Sequence, residues 1–340
     1  MSNSDNGHRE HKNLGLEGLR GVLAFIVAIA HFQMSRSTAP AFEIIAAVTV
    51  EVFFVLSGYV LAPQLLQIAD GTISLWRFLV RRWMRTIPAY AVVVVAASIV
   101  AWPVMPADIG RYLVYSQNLF SQHNETDYFS VAWSLSVEEW FYIVFPATLI
   151  LLRARGALFA CLVFCGAVLA LRSVAANAPD WGEEVRRVVI YRIDSIAIGF
   201  LFFLFQRERD LPSRAALALL LVAAPAGAVV LSYAGEGSQF ARHVFPYFAA
   251  ILGISCIRVF AGLNGAIVSA PILVTSCAYL GRISYSIYLV HSLAIPLMIG
   301  LPSAIISLCL YIIIIISLSM ALYLGIEKPF IDARPPLRSI

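Results

Sequence analysis

Arg20 and His31 lie eleven residues apart in the apolar stretch LEGLRGVLAFIVAIAHF, residues 16–32, which is long enough to cross a bilayer. At about 100° and about 1.5 Å per residue, eleven steps make three turns plus about 20°. Both side chains therefore leave one helical face, roughly 16 Å apart. Ionisable groups inside a membrane are costly and face a bundle interior or a wet cavity. A cation and a titratable imidazole on one stripe point to a polar pathway, with His31 toward one mouth.

Other polar groups sit in equally apolar surroundings. Glu51, in VEVFFVLSGYVLAPQLL, reads either as the partner of an arginine or as a carboxylate that orients His31, as in a catalytic triad. Ser57 and Gly58 beside it read as a small pair for helix packing. In WRFLVRRWMRTIPAY, Arg82 and Arg85 are i, i+3 neighbours and form a fork. Such a fork suits phosphate, although the positive-inside signal alone explains the cluster. In WSLSVEEWFYIVFP, Glu138 and Glu139 read as the charged first turn of a helix capped by Ser136, or as a carboxylate near His31. Arg192 and Asp194 read as an ion pair. Ser284, Tyr288 and His291 share one helical side, with Tyr285 nearby, and His291 reads as a hydrogen-bonded core residue.

These groups need a membrane scaffold. Of 340 residues, 60% are hydrophobic and 13% charged, and the mean hydropathy is +0.83, which excludes a soluble domain. The first apolar run carries Arg20 and lacks a cleavage site, so it reads as an uncleaved span. Further spans are expected near 44–66, 87–104, 137–152, 157–176, 193–205, 215–233, 244–260, 283–301 and 303–326. The apolar run 266–280, broken by Pro271, reads as an interfacial or re-entrant segment. The fold expected is an all-α bundle of about ten transmembrane helices. With the N-terminus inside, cytoplasmic segments hold sixteen Lys and Arg against seven outside, so both termini are expected in the cytoplasm. Residues 1–13 and 331–340 read as cytoplasmic tails, the first disordered, around a single transmembrane domain. The five cysteines lack Cys-x-x-Cys spacing and read as buried small hydrophobes, with no metal site expected. Nothing suggests nucleic acid. The segment 105–136 is rich in aromatics, and with Gln117, Asn118 and Asn124 it would suit a sugar-like acceptor.

Seven stretches in order give the chain a resemblance to the membrane-bound acyltransferase 3 family. They are LEGLRG with His31, VEVFFVLSGY, RRWMRTIPAY, YSQNLF with WSLSVEEWFY (which includes Trp133 and Ser134), YRIDSIAIG, GRISYSIYLVH and IEKP with Glu327. The resemblance implies a ten-helix protein of the bacterial inner membrane. It would use cytoplasmic acyl-CoA, acetyl-CoA by default, to acylate a carbohydrate, lipid-linked glycan or macrolide-like hydroxyl. Acyl-CoA is then a co-substrate, with no bound cofactor expected. Carried over, the arginine–histidine motif falls on Arg20 and His31, with His31 as base. The arginine pair falls on Arg82 and Arg85, and the motif acids on Glu138 and Glu17. Some relatives carry an appended extracytoplasmic domain. This sequence lacks one, so the chain is expected to act alone or with a separate partner.

The mechanism expected has nucleotide phosphates on the cytoplasmic arginines, the thioester arm in the bundle, and His31 deprotonating the acceptor hydroxyl. Glu138, ahead of Glu51, would hold the imidazole tautomer; an acyl-histidine intermediate stays open. The rivals are a transporter with a proton path through His31 and His291, and a non-catalytic membrane receptor or assembly factor. No internal repeat favours the transporter.

Overall fold

The computed structural model describes residues 13–101, 103–122, 127–175, 182–209, 211–234 and 239–337. The expected tail before residue 13, Asn124 and the last three residues lie outside them. Among the described residues the chain is all-helical and contains no strand.

Ten long helices run through the described residues. They are α1 (Leu14–Met34), α2 (Pro40–Ala69), α3 (Leu75–Val100), α5 (Ala132–Leu151), α6 (Ala157–Val174), α7 (Asp194–Glu208), α8 (Ser213–Ala234), α9 (Gln239–Gly262), α11 (Pro271–Ala294) and α12 (Ala304–Leu322). Short helices α4 (Pro106–Leu113), α10 (Asn264–Val268) and α13 (Lys328–Asp332) connect or close them. Among the described residues, eight helical segments are long and apolar enough to cross a membrane; α8 and α11 fall outside that set.

Local chemistry fixes the helix starts. The Asn13 side chain accepts a hydrogen bond from the Leu16 amide at 3.2 Å and caps α1. Pro40 and Pro271 open α2 and α11, where a missing N–H leaves no intrahelical bond unmade. That second proline corrects the sequence reading. Residues 271–280 are not a separate re-entrant piece but the first turns of α11, which ends at Ala294. Two more boundaries differ from expectation. Helix α3 starts at Leu75 and runs through Pro88, so its arginines lie within the helix. Helix α5 starts at Ala132, so Glu138 and Glu139 lie in its second turn. Ser136 is no cap; its hydroxyl donates to the Ala132 carbonyl at 3.3 Å.

Helix α1 packs between α2 and α11, and α2 packs along α7 and α9. The α2–α7 crossing is as close as backbones allow. A Cβ at Gly58 would lie 1.8 Å from the Ile196 carbonyl oxygen, and one at Gly199 would lie 1.9 Å from that of Val55. Gly58→Ala should therefore force the helices apart at an overpacking cost of about 1–3 kcal/mol. A lower thermal midpoint of the detergent-solubilised protein is expected, and an unchanged midpoint would contradict the crossing.

Candidate active site

Two cavities inside the bundle share part of their lining. The first, about 90 Å³, is lined by Arg20 of α1, Ser57 of α2, Arg82 and Arg85 of α3, and Glu138 and Tyr142 of α5. Arg82 Nη2 donates to the Tyr142 hydroxyl at 2.9 Å, and its guanidinium lies 4.6 Å from that ring's centroid. The Tyr142 hydroxyl donates to Glu138 Oε2 at 3.0 Å, and Ser57 Oγ donates to Oε1 at 2.8 Å. Both carboxylate oxygens are thereby engaged. Glu17 faces Arg20 at 4.0 Å. Three guanidiniums thus line one cavity, an arrangement suited to an anionic group.

The second cavity, about 40 Å³, is lined by His31, Glu43, Val50, Trp133, Arg186 and Tyr288, among others. His31 Nδ1 lies 3.0 Å from the Val27 carbonyl oxygen. A carbonyl can only accept, so Nδ1 carries a proton, and in the neutral ring Nε2 keeps its lone pair. Arg186 pairs with Glu43 at 3.6 Å and lies 5.7 Å from the Trp133 ring centroid. Burial and the adjacent Arg187 push the Arg186 guanidinium down to about 10, against the pull of Glu43.

Val50 and Tyr288 line both cavities. The Tyr288 hydroxyl is 2.5 Å from Ser134 Oγ and donates to the Val131 carbonyl at 3.2 Å. Beyond it, the His291 ring centroid is 5.1 Å from that of His31. His291 is fully buried and its Nδ1 donates to the Tyr288 carbonyl at 2.7 Å. Its Nε2 is buried with no hydrogen-bond partner among the described residues. The Tyr311 hydroxyl reaches the Ala28 and His291 carbonyls at 3.0 and 3.1 Å, tying α12 to α1 and α11.

Several expected contacts are absent. Glu138 is not at a mouth beside His31; it sits among the arginines of the first cavity, because α5 begins earlier than its serines suggest. Glu51 does not orient His31 either. Its carboxylate accepts from Arg192, and both side chains are buried. Arg192 and Asp194 are therefore not partners of each other. Asp194 takes two hydrogen bonds from Arg172, at 3.0 and 2.9 Å. Two residues apart at the start of a helix, Arg192 and Asp194 point different ways, the first to Glu51 of α2 and the second to Arg172 of α6. Glu139 accepts from Thr86 Oγ1 at 2.7 Å, and Glu327 accepts from Ser286, both within the bundle. Ser57 does more than pack, since it holds Glu138.

Sequence reasoning missed Tyr142, Glu43 and the pair Arg186–Arg187. Tyr142 was findable as the i+4 neighbour of Glu138 on a helix. In the sequence, Arg186 and Arg187 count only toward the seven basic residues of the outside segments.

A membrane-embedded helical bundle holding an arginine-lined cavity against a histidine-lined one is the class of protein defined here. Its sequence matches the acyltransferase 3 family model, described as an acyltransferase domain, over residues 13–324, and the chain belongs to that family. It is 26% identical to the peptidoglycan O-acetyltransferase OatA of Listeria monocytogenes over 309 residues, covering 81% of this chain and 48% of that protein. It is 31% identical over 182 residues to the Bacillus subtilis protein named "Putative peptidoglycan O-acetyltransferase YrhL", covering 46% of this chain and 27% of that one. The chain thus spans about half the length of the first of these relatives, and its match to the second covers about a quarter of that protein. No solved structure matches it.

Proposed function

We propose that this chain is a membrane O-acetyltransferase that moves an acetyl group from acetyl-CoA to a hydroxyl of a carbohydrate. The observation that carries this reading is the wall that the two cavities share at Val50 and Tyr288. Membership of an acyltransferase family favours transfer over transport, and the peptidoglycan O-acetyltransferase named above favours a glycan acceptor.

In this reading the phosphates of the donor lie against Arg20, Arg82 and Arg85, on the cytoplasmic side with both termini. The pantetheine arm passes Tyr288 toward His31. His31 Nε2 takes the proton of the acceptor hydroxyl as its oxygen attacks the thioester carbonyl. The C–S bond breaks, and the thiolate leaves with the proton from the imidazolium. The products are the acetyl ester and free CoA thiol. Glu138 acts on the donor side, holding Tyr142 and through it Arg82, rather than as the partner of His31. An apolar bundle keeps bulk water from the thioester.

Radiolabelled acetyl-CoA, the purified protein in nanodiscs and a glycan panel test the activity. Absence of label transfer to every glycan would overturn it. For the donor site, Arg82→Ala with Arg85→Ala should weaken acetyl-CoA binding about 100-fold. Each lost charge-assisted bond contributes about 1.5–3 kcal/mol, and about 1.4 kcal/mol is tenfold in affinity. Calorimetric titration at an unchanged thermal midpoint reads the loss; unchanged affinity removes the assignment.

A further inference from the structure

A third cavity adjoins the one that holds His31, sharing Trp133 and Ser130 as a common wall. Its other lining is Asp108, Arg111, Tyr112, Gln117, Asn118, Gln122 and Asp127. It is small, about 10 Å³, which is the space of one water-sized group.

The wall has an unusual imbalance. Gln117 Nε2 donates to Ser136 Oγ at 2.6 Å, and Gln122 Nε2 donates to Asp127 Oδ2 at 3.1 Å. Asn118 Nδ2 donates to the Arg187 carbonyl and, at 3.4 Å, to that of Trp133. Carbonyls and carboxylates only accept, and the Ser136 hydroxyl already gives its proton to Ala132. These partners set the carboxamides of Asn118 and Gln122, and the bond of the Ser136 hydroxyl to Ala132 favours the same sense at Gln117. Their oxygens, Gln117 Oε1, Asn118 Oδ1 and Gln122 Oε1, are buried with no partner among the described residues. Gln117 and Asn118 are themselves only 7% and 2% exposed.

Three orphaned acceptors in one place call for donors, because each unmet acceptor costs free energy that a donor would recover. The carboxylates there are already engaged. Asp127 accepts from the Tyr112 hydroxyl at 2.7 Å, and Asp108 pairs with Arg111 at 3.2 Å. Burial also raises the Asp127 carboxyl above its usual range, which weakens its pull on a cation. Arg111 in the lining is paired with Asp108, so the unmet groups are acceptors, which give an apolar macrolide-like ring nothing to hold. Neutral hydroxyl groups satisfy them.

We propose that this cavity is an acceptor-orienting subsite. It receives one hydroxyl of a neutral saccharide and thereby selects which neighbouring hydroxyl is presented to His31. The proposal rests on the transferase reading given above and adds the substrate class and the basis of regioselectivity.

The test is donor-free binding to the full-length protein in nanodiscs, followed by calorimetry. The probes are chitotetraose, maltotetraose and mannotetraose, with spermidine as the cationic comparison. Wild-type protein should bind at least one saccharide in preference to spermidine. Gln117→Met and Gln122→Met, which keep side-chain length and remove the acceptor, should each weaken that binding about tenfold. Acetyl-CoA affinity reports that both variants are folded. Where transfer occurs, the variants should also spread acetyl groups over several hydroxyl positions, read by NMR of the product, an effect that loss of stability alone would not produce. Equal saccharide binding in wild type and both variants overturns the subsite, as does preference for spermidine or no saccharide binding at all. Saccharide binding that follows this pattern without any acetyl transfer overturns the transferase reading and leaves the subsite standing.

Discussion

His31→Ala should lower the turnover of acetyl transfer by about 10²–10⁴-fold, the range that one positioned general base contributes. The expectation rests on a tautomer set by local geometry. The Val27 carbonyl takes the Nδ1 proton, which leaves Nε2 as the basic atom of a ring lining the second cavity. Acetyl-CoA affinity should hold within about twofold, because the arginines line the other cavity. His31→Gln provides the control for bulk, since it fills similar space without a titratable nitrogen. Single-turnover transfer of labelled acetyl, with donor binding measured in parallel, separates the two effects. Turnover equal to wild type in either variant would remove His31 from the chemistry.

The second large effect concerns stability. Asp194→Leu should cost about 3–5 kcal/mol, because it leaves the Arg172 guanidinium buried and uncompensated. That guanidinium is fully buried and spends its bonds on Asp194, the Tyr191 carbonyl and the Tyr247 hydroxyl. The double variant Arg172→Met with Asp194→Leu should regain most of the loss, since a buried pair replaced by apolar groups of similar volume is close to neutral. Thermal unfolding of the detergent-solubilised variants gives the comparison. A single variant no less stable than wild type, or a double variant worse than the sum of its parts, would show that the pair does not hold α6 to α7. The same logic applies to Arg192 and Glu51.

The sequence displays some of this architecture openly. Apolar runs of bilayer length mark most long helices, and the i+11 relation of Arg20 to His31 places both toward the interior. What stayed hidden depends on contacts between helices. Ser134, Ser136, Glu138 and Glu139 look like a capped helix start, yet burial of Ala132 and Trp133 draws the helix further back. Pro271 looks like a break and is in fact a start, because proline is equally at home in the first turn. Partner choice among Glu51, Arg172, Arg192 and Asp194 cannot be read from spacing, since it is decided by how α2, α6 and α7 cross. The nearness of His291 to His31 is likewise set by the packing of α11 on α1.

The partition shared by the two cavities has a bioenergetic consequence. Polar chambers that face each other across a bundle would short-circuit the ion gradient of any energised membrane if they joined freely. Only Val50 and Tyr288 are common to both, and the tyrosine is latched to Ser134 and the Val131 carbonyl. One hydrophobe and one latched phenol are thus the side chains that stand between the two spaces. Under the transferase reading proposed above, a slender donor arm would have to displace that phenol to pass, so insulation and access would fall to the same side chain.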